Sequence, residues 1–314
     1  MCLKTRSIFN MKRLAYIVLN YNNFADTIEC VESIKGALYS NYFIVIVDNN
    51  STDMSYEKIS NRYHEDGSIH MIKSEKNIGY AGGNNIGIKY AINNGADVVC
   101  VINNDTIIDK TTPTQCIEYL YSNANVAFVG PTILEFNESK VQSTGGIVNF
   151  KKGGARLLNH GAEIDSIRNN VECDFISGAC LFFKAELVDE IGLIPENYFL
   201  FYEETEWCYK AKKAGHRNVC LSNVYIKHKG SVTIQKVGGL SDYLLHRNRV
   251  VFAKRNVDTK FNYLCFLLYI YLEALYVIAK GNKEGFKYFK YYHHGLFNKI
   301  DYNKYPFIII NEEK

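Results

Sequence analysis

The sequence predicts an α/β protein, with a mostly parallel sheet flanked by helices and a helical extension at the C-terminus. Apolar, β-rich runs alternate with helical segments through about residue 130, as in consecutive βαβ units. These runs contain hardly any polar residue, which is typical of strands buried on both faces. From Tyr243 onward the composition changes to 12 Lys and Arg against 6 Asp and Glu, with many aromatic residues. This change is the observation that separates the extension from the rest.

The predicted elements follow one another closely along the chain. After a leader of residues 1–13, the first strand is Leu14–Leu19. A helix follows, with Asp26 as its N-cap, Glu29 in the capping-box position and Gly36 at its end. The remaining elements of this half are strands at Phe43–Val47, Ile69–Ile72 and Val98–Ile102, and helices at Ile86–Asn93 and from Thr112–Pro113 onward.

Composition excludes several classes of protein. The chain has 314 residues, of which 47% are apolar and 22% charged, as in ordinary globular proteins. A net charge of +3 excludes a protein that acts mainly through bulk charge, and we expect no nucleic-acid partner. None of the nine cysteines forms a C-x-x-C pair, and Cys100 and Cys180 lie inside apolar runs. This pattern predicts buried thiols in a reducing compartment rather than disulfides or a zinc site.

Polar loops follow the first, second and fourth strands. Because the carboxyl ends of parallel strands meet at one edge, we expect these loops to form a ligand site. A carboxylate after the second strand can accept hydrogen bonds from a base or ribose, and one after the fourth can hold a hard divalent cation. The alternative is that Asp and Asn at strand ends only form turns. The candidate binding residues are Asn20, Tyr21, Asp48, Asn50, Asn103 and Asn104, and the candidate metal ligand is Asp105.

A glycine-rich segment, Asn77–Gly87, precedes the helix predicted at Ile86. Its four glycines predict that backbone N–H groups cradle a phosphate at the helix N-terminus, with Gly82, Gly83 and Asn84 as the binding residues. The segment is neither G-x-G-x-x-G nor a Walker loop.

Three carboxylates, Glu203, Glu204 and Glu206, follow an aromatic run that begins at Tyr198. Carboxylates in an aromatic setting suit a general base, because desolvation raises the pKa. The alternative is a solvated helix start, favoured by the helix dipole. His228, near a predicted strand end, is either a structural residue or a ligand.

Taken in order, these pieces resemble a glycosyltransferase of family 2, and most of all its bacterial rhamnosyltransferase branch. The resemblance covers Leu14 to Asn256 and implies the GT-A fold, which is Rossmann-like. The matching pieces are Asn20–Asn22, Val47–Asp53, Asn77–Gly87, Ile102–Thr106, Ser177–Cys180, Tyr198–Cys208 with Lys213–Gly215, His228 and Tyr243–Asn248.

The resemblance also implies roles for single residues. Asp48 matches the carboxylate that binds the base or ribose, and Asn103-Asn104-Asp105 matches the metal-binding D-x-D segment. His228 matches a histidine of the metal and diphosphate site, and Arg247 matches a residue near the acceptor or diphosphate. Glu204 matches the general base. The chain departs from the family in having Asn103 for the first Asp and Glu204 for the usual Asp, which leaves Glu203 and Glu206 as alternative bases.

The implied activity is metal-dependent, inverting transfer of a sugar from a nucleotide-diphosphate donor to a glycan or lipid-linked acceptor in cell-surface polysaccharide synthesis, such as that of O-antigen or cell wall. Mg²⁺ or Mn²⁺ is the expected ion, and dTDP-rhamnose is the first expectation for the donor, with UDP-hexoses next.

Two alternatives remain. A sugar-phosphate nucleotidylyltransferase requires a basic Gly-rich loop after the first strand, where this chain has Asn20-Tyr21-Asn22. An inactive scaffold of an assembly complex is disfavoured by the retained acids Asp48, Asp105 and Glu204.

The predicted division is a catalytic domain of residues 14–242 and a basic, aromatic extension of residues 243–314. The longest apolar stretch, Phe261–Ala279, is interrupted by Asn262 and Glu273, which favours a helix lying at the membrane interface over a spanning one. The resemblance implies a cytoplasmic protein at the inner face of the bacterial membrane, in peripheral contact with it. The alternative is that the helix packs as a core element or joins copies of a homo-oligomer.

Overall fold

A computed structural model describes residues 12–230 and 238–310. The first eleven residues of the predicted leader lie outside these ranges. The strands are β1 (Leu14–Asn20), β2 (Tyr42–Asp48), β3 (Ile69–Lys73), β4 (Val98–Asn103), β5 (Thr106–Ile108), β6 (Val126–Glu135), β7 (Val141–Ser143), β8 (Gly146–Asn149), β9 (Gly154–Leu157), β10 (Val171–Cys173), β11 (Cys180–Lys184) and β12 (Arg217–His228). The α-helices are α1 (Phe24–Lys35), α2 (Ser55–Tyr63), α3 (Gly79–Asn93), α4 (Thr112–Ser122), α5 (Leu187–Ile191), α6 (Glu203–Lys213), α7 (Leu240–Asn256), α8 (Lys260–Ala279) and α9 (Glu284–Leu296).

One central sheet has the strand order β10-β12-β6-β11-β4-β1-β2-β3, with β5 paired to β12 and β7 to β6. Strands β3, β2, β1 and β4 are parallel, as predicted, and β6 and β12 are parallel to each other. Strand β11 is antiparallel to both of its neighbours, β4 and β6, so the sheet is mixed. The predicted α/β class and its GT-A-like arrangement are confirmed.

Helices cover both faces of the sheet because its strands are apolar on both. On one face, Tyr16 and Ile44 pack with Val31 of α1 and Ile117 of α4. On the other face, Ile17 and Val45 pack with Ile88 of α3 and Trp207 of α6. The eight cysteines among the described residues are all free thiols, and seven of them are buried, as predicted.

Two local predictions are wrong. The N-cap of α1 is Asn23, whose side chain accepts a hydrogen bond from the Asp26 N–H, so Asp26 lies in the first turn rather than at the cap. Helix α3 begins at Gly79 instead of Ile86 and takes in the glycine-rich segment. Because glycine has no side chain, α3 can approach the sheet closely at these positions. A Cβ on Gly83, for example, would lie 2.3 Å from Leu19 Cδ1.

The C-terminal helices α7, α8 and α9 form the predicted extension and enclose a core of their own with Phe150. Helix α7 is the innermost of them, with Tyr243, Arg247 and Asn248 buried. Helix α8 buries one face only, through Phe266, Ile270 and Ala274. By length and composition it is the one helix in the described ranges that could cross a membrane.

Candidate active site

A cavity of about 550 Å³ opens at the carboxyl ends of β1, β2 and β4. Its size is within the usual range for small-molecule sites. Of the predicted site residues, those that line it are Tyr21, Asn103, Asn104, Asp105, His228, Glu203 and Glu204. Those that do not are Asn20, Asp48, Asn50, Gly82, Gly83, Asn84, Glu206 and Arg247.

Asp48 and Asn20 lie fully buried behind the cavity lining and connect two of its loops. The Asn20 Nδ2 donates to Asp48 Oδ2 at 2.8 Å, and Asp48 Oδ1 accepts from the Ser51 N–H at 2.9 Å. Asn49, which the sequence analysis did not select, lines the cavity instead. Its Nδ2 donates to the Gly79 carbonyl at 3.0 Å, so it joins the end of β2 to the start of α3.

The predicted phosphate cradle at Gly82 and Gly83 is wrong. Both glycines lie inside α3 and are buried, beyond the first turn whose N–H groups are free to bind a ligand. Asn84 lies in the same helix, and its Nδ2 donates to the Tyr80 carbonyl. Gly82 and Gly83 serve helix packing, and the residues of the segment that line the cavity are Asn77, Gly79 and Tyr80.

Asp105 and His228 meet because β5 pairs with the end of β12, where His228 is in register with Thr106. The Nε2 of His228 lies 3.1 Å from Asp105 Oδ1 and 3.3 Å from Asn103 Nδ2. Its Nδ1 lies 2.7 Å from the Gln142 Oε1, an acceptor, so Nδ1 carries a proton and Nε2 is the ring nitrogen directed at Asp105. Gln142 has no sequence signal that could have identified it.

This pair fits a divalent cation of the predicted kind. Ligands on adjacent corners of an octahedral ion with bonds of about 2.1 Å lie about 3 Å apart, which matches the separation of Nε2 and Oδ1. The described residues contain no cluster of three or more His, Cys, Asp and Glu side chains at metal-binding distance. Among the described residues, no third side chain of these four types would join Asp105 and His228 around such an ion.

The same cavity is lined by acidic residues at the start of α6. Glu203 and Glu204 line the cavity, whereas Glu206 is turned away. The carboxylate of Glu206 is buried and receives Arg255 Nη2 at 3.0 Å, Arg255 Nε and the Tyr198 hydroxyl. Glu206 therefore joins α6 to α7 and has no free oxygen for a reacting group.

Burial raises the pKa of Glu204 to about 6, against the opposing effect of backbone N–H groups, including that of Gly178. Burial also raises the pKa of Glu203 well above its usual value, and the nearby charge of Glu204 raises it further. Burial therefore disfavours the ionised form more strongly at Glu203 than at Glu204. Gly178 allows this close approach, since a Cβ there would lie 3.3 Å from Glu204 Cγ and 2.8 Å from the Tyr80 hydroxyl oxygen.

Arg247 is almost wholly buried in α7 and does not reach the cavity. Its Nη1 donates to Asn248 Oδ1 at 2.7 Å and to the Asn197 carbonyl at 3.4 Å. Its Nε donates to the Lys299 carbonyl at 3.2 Å. Arg247 thus binds the Asn248 side chain and two backbone carbonyls, and its expected place near the acceptor or diphosphate stays a prediction.

Two curated relatives resemble this chain. It is 30% identical over 206 residues to the low-salt glycan biosynthesis hexosyltransferase Agl10 of Haloferax volcanii, covering 64% of this chain and 62% of the relative. It is 27% identical over 176 residues to the dTDP-rhamnosyl transferase RfbF of Shigella flexneri, covering 56% and 55%. The chain thus matches less than two thirds of the length of either relative.

Solved structures share the fold at low sequence identity. The mannosyltransferase PcManGT from Pyrobaculum calidifontis, in complex with GDP-Man and Mn²⁺, aligns with a TM-score of 0.58 and 14% identity, covering 93% of this chain and 89% of that one. TarS 1–349 of S. aureus, in complex with UDP-GlcNAc, aligns with a TM-score of 0.54 and 18% identity, covering 83% and 72%.

The family model described as glycosyl transferase family 2 matches residues 16–192, which span β1 to α5 and include the loops at the carboxyl ends of β1, β2 and β4. This match covers more than half of the sequence and agrees with the fold of the solved neighbours. The chain belongs to glycosyl transferase family 2.

Proposed function

We propose that this glycosyltransferase moves a sugar, with inversion at the anomeric carbon, from a nucleotide-diphosphate donor to a hydroxyl of a glycan or lipid-linked acceptor. The supporting observation is one cavity that is lined both by the Asp105–His228 pair and by the half-buried Glu204. The pair suits an anionic diphosphate with its cation, and Glu204 suits a base.

In the proposed reaction, Glu204 accepts the proton of the acceptor hydroxyl while that oxygen forms a bond to the anomeric carbon. The bond between that carbon and the diphosphate oxygen breaks, and the nucleoside diphosphate leaves. Asp105 and His228 would hold Mg²⁺ or Mn²⁺, which neutralises charge on the leaving group when bound. In an inverting transfer, attack and departure occur on opposite faces of the anomeric carbon, so the proposed reaction requires Glu204 to reach the face away from the diphosphate.

The donor sugar remains a proposal. The relative from Shigella flexneri is named a dTDP-rhamnosyl transferase, which supports dTDP-rhamnose as the first candidate. The structural neighbours were solved with UDP-GlcNAc and with GDP-Man and Mn²⁺, which makes UDP-hexoses and GDP-mannose the comparison donors. On this reading the product belongs to a cell-surface polysaccharide.

Isothermal titration calorimetry of dTDP, UDP and GDP with Mg²⁺ or Mn²⁺ tests the donor, followed by transfer to p-nitrophenyl glycosides. We expect one nucleotide to bind in a metal-dependent manner and its sugar to be transferred with an inverted anomeric proton coupling in the NMR spectrum. A retained configuration contradicts the mechanism. Absence of binding by all three nucleotides contradicts the proposed donor class.

We also propose peripheral contact with the inner face of the bacterial membrane, through the outer face of α8. This face carries Phe261, Leu264, Leu268, Leu272 and Leu275, each more than half exposed. An apolar stripe of this length is unusual on a monomeric soluble protein.

Charge favours lipid over a second copy as the occupant of this face. Exposed lysines lie at both ends of α8, with Lys260 at its start and Lys280 and Lys283 at its end. Lys151 lies 5.9 Å from the centre of the Phe261 ring. Two copies paired through α8, parallel or antiparallel, would place lysine clusters against each other, whereas an anionic lipid surface complements both ends.

A further inference from the structure

The loop that precedes α6 has a backbone conformation that residues other than glycine rarely adopt. Phe199, Phe201 and Tyr202 have φ angles of 69°, 68° and 79°. Left-handed conformations of bulky residues persist only where the surrounding structure imposes them, and they concentrate at functional sites. This loop leads directly into Glu203 and Glu204.

A single side chain from α7 binds most of the carbonyl groups of this loop. The Asn248 Nδ2 donates to Leu200 O at 2.7 Å and to Tyr198 O and Phe201 O at 3.1 Å each. The amide has two N–H groups, so the three carbonyls share them. The remaining carbonyl, that of Phe199, accepts from the Tyr80 N–H at 2.8 Å.

Arg247 fixes the orientation of that amide. Its Nη1 donates to Asn248 Oδ1, which leaves the Nδ2 end of the amide directed at the loop. Both residues are buried, and neither lines the cavity. Asn248 therefore acts on the site only through the backbone of residues 198–201.

The other side of the loop is closed by the start of α3. Gly79 has a φ of 76°, and a Cβ there would lie 2.3 Å from the Phe199 carbonyl oxygen. The loop is thus enclosed between α3 and α7, with hydrogen bonds from both, and little freedom remains for the turn that presents Glu204.

We infer that Asn248, oriented by Arg247, is a positioning residue that fixes the left-handed loop and thereby the place of Glu204 in the cavity that Asp105 and His228 also line. This inference rests on the proposed function in one respect, that Glu204 is the base. The hydrogen bonds that hold the loop do not depend on it.

The test compares Asn248→Ala with Asn256→Ala. Asn256 is also a buried amide of α7, and its Nδ2 donates to the Phe252 carbonyl, away from the loop. Misplacement of a reacting group by about 1 Å lowers rates by about 10²-fold, so we expect a kcat loss of that order in Asn248→Ala, with nucleotide affinity unchanged. Because the loosened loop exposes Glu204 to water, we also expect the acid limb of the kcat profile to move from about 6 towards 4.5. Asn256→Ala is expected to leave the kcat and the acid limb unchanged.

Hydrogen–deuterium exchange of the peptide covering residues 198–204 provides a measurement that does not require activity. We expect faster exchange in Asn248→Ala and in the milder Arg247→Lys, but not in Asn256→Ala. If exchange and kcat in Asn248→Ala match those of Asn256→Ala, the positioning role is wrong. If the wild-type protein transfers no sugar, the proposed function is wrong. The positioning role is tested separately, because unchanged exchange of this peptide in Asn248→Ala would contradict it whether or not the protein is active.

Discussion

Replacing Glu204 by Gln tests the proposed chemistry most directly. The substitution keeps the shape of the side chain but removes the ability to accept a proton. A positioned general base contributes about 10²–10⁴-fold, so we expect the kcat of Glu204→Gln to fall by that factor while nucleotide affinity changes little. Asp105 and His228, the expected metal ligands, are untouched by the change.

The pH dependence of the activity provides a second quantitative test of Glu204 as the base. With a pKa of about 6, Glu204 is about 91% ionised at pH 7 and about 9% ionised at pH 5, so the wild-type kcat/KM, which reports the free enzyme, should fall about tenfold between them. This acid limb should be absent in Glu204→Gln. Steady-state kinetics from pH 5 to 8, with circular dichroism as a control for folding, measure both effects.

At high pH, the free energy of unfolding of Glu204→Gln should be higher than that of the wild type, although its kcat is lower. A carboxyl whose pKa is raised in the folded state stabilises the fold only while protonated, so this contribution is full below pH 4.5 and is lost as pH rises through 6. Glu204→Gln lacks this loss, and we expect it to be more stable than wild type by about 2 kcal/mol at pH 8.

Glu203→Gln and Glu206→Gln are the matched controls. If Glu204→Gln keeps a near-normal kcat and an acid limb while Glu203→Gln loses both, Glu203 is the base. Loss of kcat in Glu206→Gln alone would refute the geometry described here, since the Glu206 carboxylate pairs with Arg255 outside the cavity. If all three variants stay active, the acidic cluster is a helix start with no role in proton transfer.

Three further outcomes are expected. Asp105→Asn should abolish turnover at any Mg²⁺ or Mn²⁺ concentration, and wild-type activity that survives excess EDTA would contradict the metal role. Gly83→Ala should lower the free energy of unfolding by about 1–3 kcal/mol in urea titrations, because its Cβ meets Leu19, while the folded fraction binds nucleotide normally. Leu268→Gln with Leu272→Gln should reduce co-sedimentation with anionic liposomes at low salt, and if the wild-type protein sediments at no salt concentration, α8 has another partner.

The parallel half of the sheet could be predicted because its strands are buried on both faces. An uninterrupted apolar run such as Val98–Ile102 has no other stable place in a soluble protein, and polar loops at the strand ends then converge by topology. Asp105 was identified in this way. Its partner His228 is distant in sequence, and only the pairing of β5 with β12 brings the two together.

The glycine-rich segment shows why the remainder could not be predicted. Glycine disfavours helix, so local propensity assigned Asn77–Gly87 to a loop. Packing reverses that preference, since Gly83 and Gly87 give α3 the close approach to Leu19 and Ile17 that a larger residue would prevent. Such contacts depend on residues of β1, which is distant from α3 in the sequence, so the local sequence of α3 cannot predict them.

The left-handed loop before α6 has a chemical consequence for the choice between acceptor and water. In an extended strand, successive side chains alternate between two faces, yet Phe199, Leu200 and Phe201 all line the cavity. They give this part of the cavity lining an apolar surface, to which a lone water molecule can make few hydrogen bonds. A hydroxyl attached to a larger acceptor can cover this surface, whereas water cannot. If Glu204 is the base, donor hydrolysis should therefore be slow relative to transfer, and the activated sugar is kept for its proper acceptor.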